Sequence, residues 1–94
     1  MKKIDQFKET FSEFARICYE MDIFSINEAV DSISMDVDQL EDNDDLKDGF
    51  KLMEEIMYMV NELDMEEYGE GFEDTIQELN DMFDDASEQF SSFL

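Results

Sequence analysis

Apolar residues recur along this chain in alternating steps of three and four. Ile4, Phe7, Phe11, Phe14, Cys18 and Met21 form the first such series. That spacing keeps every member on one side of a helix, so it predicts helix 1 over 3–21, with Ile17 widening the stripe. A second series runs Ile26, Val30, Ile33, Val37, Leu40, with Glu28, Asp31, Met35 and Asp38 opposite it. Ser25 and Glu28 match the S-x-x-E capping box, which predicts that helix 2 starts after Ser25 and covers 26–40. Leu46, Phe50, Met53, Met57 and Val60 predict helix 3 over 45–64, with Asn43 and Asp44 as its caps. Leu52, Ile56, Met59 and Leu63 spread its apolar character, as expected of a helix central in a bundle or buried at a subunit interface. Phe72, Ile76, Leu79, Phe83, Ala86, Phe90 and Phe93 predict helix 4 over 72–93. Gly69 and Gly71 suit a stop and a turn before it.

Four stripes of this kind imply an all-α fold. The expected architecture is one domain, 1–94, built as a compact bundle of about four amphipathic helices with heptad-like stripes, packed at shallow angles. Proline is absent, only three glycines occur, and no stretch alternates as a strand would. Gly49 falls inside helix 3, where glycine costs about 1 kcal/mol relative to alanine. A close helix crossing is the expected compensation. Met53, Met57 and Met59 read as adaptable core filling, or as a plastic partner-binding surface. A chain of 94 residues supports only a modest core, so a homodimer would add stability, with helix 1 or the surplus face of helix 3 as its interface.

Charge changes this picture. The chain has 28 acidic and 6 basic residues, for a net charge of −22. Residues 1–24 contribute only −1 of that, so the later segments are strongly acidic. The acids crowd into three places. Asp36, Asp38, Glu41, Asp42, Asp44, Asp45 and Asp48 fill one junction, beside Lys47. Glu66, Glu67, Glu70, Glu73 and Asp74 dominate the next, with Glu62 and Asp64. Asp81, Asp84, Asp85 and Glu88 lie on the far side of helix 4. Carboxylates late in a helix oppose its dipole, so local stability does not explain the last group. A solvated acidic face is the bland explanation; a basic partner is the functional one.

Several functions are disfavoured. Direct binding to nucleic acid or to an anionic membrane conflicts with the charge. No apolar run approaches the length of a membrane span, and MKKIDQF lacks a signal-peptide core, so a cytoplasmic protein is expected. Cys18 stands alone in an apolar stripe and reads as a small buried hydrophobe. Histidine is absent, which removes the usual general base and transition-metal ligand. An EF-hand register from Asp36 puts Leu40 and Glu41 at its fifth and sixth positions and Lys47 at its twelfth; a register from Asp42 puts Leu46 and Lys47 at the fifth and sixth. Both fail, and neither a metal nor a cofactor is expected. Carboxylate pairs are too abundant for any one to mark catalysis, so a non-catalytic protein is expected.

A magnitude sharpens the functional reading. Duplex DNA carries one charge per roughly 1.7 Å, so twenty-two charges correspond to about 37 Å of duplex. A helix of twenty residues is about 30 Å long. The bundle should therefore approach the charge density of DNA on a body of similar length. With runs such as LEDNDDLKD and MEEYGEGFED between apolar stripes, the chain resembles the small acidic phage-encoded DNA mimics that block restriction, CRISPR or repair proteins. The resemblance implies an inhibitor whose partner is a basic nucleic-acid-binding protein. The charge pattern, and no motif of that class, offers the contact residues: the sixteen carboxylates from Asp36 to Glu88 named in the three groups above, apart from Glu62 and Asp64. Two alternatives stand beside it. One is an immunity protein or antitoxin covering a basic nuclease, with Tyr58 or Tyr68 as an aromatic anchor. The other is an acidic adaptor or chaperone for a basic protein.

Overall fold

The computed structural model of the protein describes residues 2–63 and 70–94, Glu70 by its backbone alone. Four α-helices appear among them, and no strand: α1 (Lys3–Glu20), α2 (Phe24–Asp38), α3 (Leu46–Asn61) and α4 (Glu73–Gln89). Single 3-10 turns occupy Asn43–Asp45, Glu70–Phe72 and Ser91–Phe93. The expected helical bundle is the fold, and its long dimension is 40 Å against 24 and 18 Å across.

The core follows from the stripes. Every stripe residue of helix 1 is buried, as are Ile26, Val30, Ile33 and Val37 of α2, while Leu40 is half-buried. In α3 the five stripe residues and Ile56 are buried; Leu52, Met59 and Leu63 pack against the core from its edge. The surplus apolar surface of α3 is thus largely spent within the bundle, since α3 packs on α1, α2 and α4. The α4 stripe sits shallower: Leu79, Ala86 and Phe90 are buried, whereas Phe72, Ile76, Phe83 and Phe93 are half-buried.

Aromatic contacts fix the topology. Phe7 lies 5.2 Å from Phe50 and 5.9 Å from Phe90 between ring centroids, and Phe50 lies 6.0 Å from both Phe83 and Phe90. The starts of α1 and α3 therefore meet the end of α4. α1 and α3 run parallel as the central diagonal pair, and α2 and α4 run against them on its flanks. Gly49 stands where the diagonal closes. A Cβ there would lie 2.7 Å from Phe7 Cε1 and 3.2 Å from Leu40 Cδ1, so the close crossing expected at this glycine is present.

Helix ends depart from expectation by two residues or more in four places. α2 starts at Phe24, not after Ser25; its N-cap is Ile23, without a side-chain cap bond, so the Ser25–Glu28 capping box does not form. The reason is the tightness of the preceding link. Asp22 takes a left-handed conformation (φ 53°), and its N–H donates to Tyr19 C=O at 3.0 Å. Ile23 is then buried and its carbonyl already accepts from the Asn27 N–H. α2 also stops at Asp38, short of Leu40, where Lys8 Nζ donates to the Asp38 carbonyl at 3.0 Å. α3 stops at Asn61, with Glu62 as its C-cap. The expected end at Asp64 and the stop at Gly69 lie on residues outside those described. α4 gives way at Phe90 to the last 3-10 turn, before the expected end at Phe93.

Candidate functional site

The turn between α2 and α3 explains how the first acidic group is held. Asn43 and Asp44 do not cap α3. Asn43 Oδ1 accepts from the Ile4 N–H at 3.1 Å, and so satisfies the first turn of α1 from 39 residues away. Asp45 provides the local cap: its Oδ2 accepts from the N–H groups of Glu41 and Asp42 at 3.1 and 3.2 Å, completing a capping box with Asp42. Asp45 and Asp42 therefore have a structural task. Asp36, Asp38, Glu41, Asp44 and Asp48 project their carboxylates into solvent.

The same is true of the other groups. Glu73 and Asp74 are exposed in the first turn of α4, where negative charge suits the helix dipole. Asp81, Asp84, Asp85 and Glu88 are exposed along its outer side, and Asp81 accepts from Gln77 Nε2 at 3.0 Å. Glu66, Glu67, Tyr68 and the Glu70 side chain lie outside the described residues. Among those described, every Asp and Glu is exposed except the half-buried Asp45. Only two ion pairs form among them, and both use Arg16, which meets Glu13 at 2.5 Å and Glu20 at 2.7 Å. The hydrogen bond and charge of Arg16 hold the Glu13 carboxyl below its usual range, and Glu13 in turn raises the guanidinium.

Antiparallel packing distributes the charge unevenly. The start of α1, the end of α2, the start of α3 and the end of α4 share one end of the bundle. All five lysines, Lys2, Lys3, Lys8, Lys47 and Lys51, are at that end. The acidic junction Asp36–Asp48 is therefore the one with cations around it. At the opposite end Glu20, Glu28, Glu62, Glu73 and Asp74 face no lysine, and Arg16 is already shared between two glutamates.

Shallow grooves separate the helices. The α2–α3 groove, about 560 Å³, has Leu40 and Leu52 as its floor and Asp36, Asp48 and Glu55 on its rim. The α3–α4 groove, about 350 Å³, brings Tyr58 beside Glu54 and Asp84 above a mutual pair of amides, Asn61 and Asn80, bonded at 3.0 and 3.2 Å. Cys18 is buried, and burial pushes its thiol up to about 12. Tyr19 donates to the Asp31 carboxylate, which pushes the phenol up to about 12.

Phe24 was missed in the sequence, whereas Met35 stands on the outer side of α2 as its place opposite the stripe implies. Phe24 and Met35 are 76% and 66% exposed, the two most exposed large apolar side chains described. Phe24 heads the row Phe24, Glu28, Asp31, Met35, Asp38 along the outer side of α2. Placing the helix start at residue 26 hid it, because Phe24 then fell in the link. The chemistry on offer is a rigid, extended display of uncompensated carboxylates with a few apolar side chains among them. No family model, curated protein or solved structure matches the chain, so the functional reading rests on this geometry.

Proposed function

We propose that the protein is a non-catalytic inhibitor that imitates a nucleic-acid phosphate backbone and occupies the binding channel of a basic nucleic-acid-binding protein. The observation that carries this reading is the display of exposed, unpaired carboxylates along a body 40 Å long. Duplex DNA of that length carries about 24 phosphate charges, at one per roughly 1.7 Å. The protein has a net charge of −22. Most carboxylates among the described residues stand on helices, so their spacing is set before a partner arrives, and the ordering entropy of a disordered acidic tail is avoided.

Such binding is a sum over many weak contacts, because exposed ion pairs contribute only about 0–1 kcal/mol each. The test is a charge-neutralisation scan against the captured partner, run beside competition with that partner's own nucleic acid. Neutralising Asp36, Glu41 and Asp44 together is expected to weaken binding by about tenfold, and each single change by much less. Asp42 and Asp45 are left intact, because they cap the turn. A partner that holds nucleic acid and this protein together without interference would sink the proposal.

The position of Tyr58 favours a second reading, a compact epitope of the immunity-protein kind. It is 63% exposed and flanked by Glu54 and Asp84. In that case Tyr58→Ala alone would cost about 2 kcal/mol or more of binding, and the triple neutralisation would do little.

A further inference from the structure

The outer side of α2 sets the two most exposed large apolar side chains described in one row with acids. Phe24 and Met35 are strongly exposed, and Glu28, Asp31 and Asp38 share their row. Positions 24, 28, 31, 35 and 38 repeat the four-three spacing that buries the opposite side of the same helix. α2 thus has two stripes, one facing α1 and α3 and the other open. Over eleven residues Phe24 and Met35 are about 16 Å apart, at about 1.5 Å of rise per residue. Tyr19 of α1 extends the surface sideways through its hydrogen bond to Asp31, and is itself 40% exposed. Two aromatic rings and a methionine ringed by carboxylates have the composition of an interface core with a charged rim.

The charges decide what fits. A second copy of this chain would bring Glu28, Asp31 and Asp38 against their own kind, and like charges facing one another repel. A nucleic acid or an anionic membrane is repelled for the same reason. A partner that buries Phe24 and Met35 while meeting the three acids must alternate apolar and cationic groups at helical spacing.

We infer that the outer side of α2 docks a lysine- or arginine-rich amphipathic helix of the partner, laid along α2 with apolar residues against Phe24 and Met35 and cations against Glu28, Asp31 and Asp38. The inference rests on the reading of the partner as a basic protein and adds which surface of each molecule meets. The delocalised charge brings the partner in, and the α2 row sets its register.

The probe is a synthetic helix of about 15 residues, the length of α2, with leucine on one stripe and lysine elsewhere. Polylysine of equal charge serves as the control. Binding is followed by titration calorimetry and by amide chemical shifts. Phe24→Ser and Met35→Ser are chosen because both side chains stand in solvent, and circular dichroism verifies that the variants keep the fold. The leucine–lysine helix is expected to shift amides along 24–38 and to lose about tenfold or more in affinity to the double variant, while polylysine binding stays unchanged. Equal sensitivity of both probes to the substitutions, an unchanged affinity for the amphipathic helix, or shifts centred on α4 would each overturn the inference. So would a Phe24-dependent dimer in light scattering. These outcomes are separate from the competition experiment with nucleic acid, which can fail while α2 still binds the helix.

Discussion

Gly49 shows how much of the bundle rests on one missing methyl group. Its absence lets α3 approach Phe7, whose ring is fully buried among Phe11, Phe50 and Phe90. In an open helix Gly→Ala would be stabilising by about 1 kcal/mol. Here the added Cβ has to displace a ring held on several sides, and overpacking of that kind costs about 1–3 kcal/mol. Gly49→Ala is expected to lower stability by about 1–2 kcal/mol, visible as an earlier midpoint in urea with an unchanged slope. A later midpoint would mean the diagonal pair can separate without loss. Cys18 tells the opposite story: the lone cysteine is an ordinary core side chain, and burial keeps its thiol protonated.

At the scale of elements, the stripes were legible because burial is periodic, and the stripe residues expected to face inward are all buried or half-buried. Helix ends were less legible, because they depend on partners remote in sequence. Its place before α3 makes Asn43 look like a cap for the helix that follows it, yet its amide oxygen serves α1. Nothing near residue 43 announces that, since the bond exists only once α1 and the turn are side by side. The carboxylates were visible as a composition, but not their separation from the lysines, which antiparallel packing decides. Asn43→Ala should destabilise the bundle by about 0.5–2 kcal/mol, the usual range for loss of a cap. Asn43→Asp keeps an acceptor and should recover most of it. Thermal unfolding followed by circular dichroism separates the two cases; equal melting temperatures for the alanine variant and the parent would show the bond to be idle.

For the whole molecule, the governing fact is self-repulsion among carboxylates that have few cations to meet. Added salt is expected to raise the melting temperature steadily between about 0.01 and 0.15 M, as the Debye length falls from about 30 to about 8 Å. A melting temperature indifferent to salt over that range would mean the carboxylates scarcely sense one another across the bundle. The same lengths change the meaning of the net charge. In dilute buffer an approaching protein feels nearly the entire 40 Å body at once. At physiological salt its reach is about a fifth of that length, and it meets one pole of the molecule at a time. The pole with the lysines and the pole without them then present themselves as different objects. A torque turning the lysine-free pole toward a cationic surface acts only in the last nanometre or so of approach. At that ionic strength, what turns an approaching cationic surface is a local charge a few side chains wide, and the sum over the chain is felt only once the two bodies lie in contact.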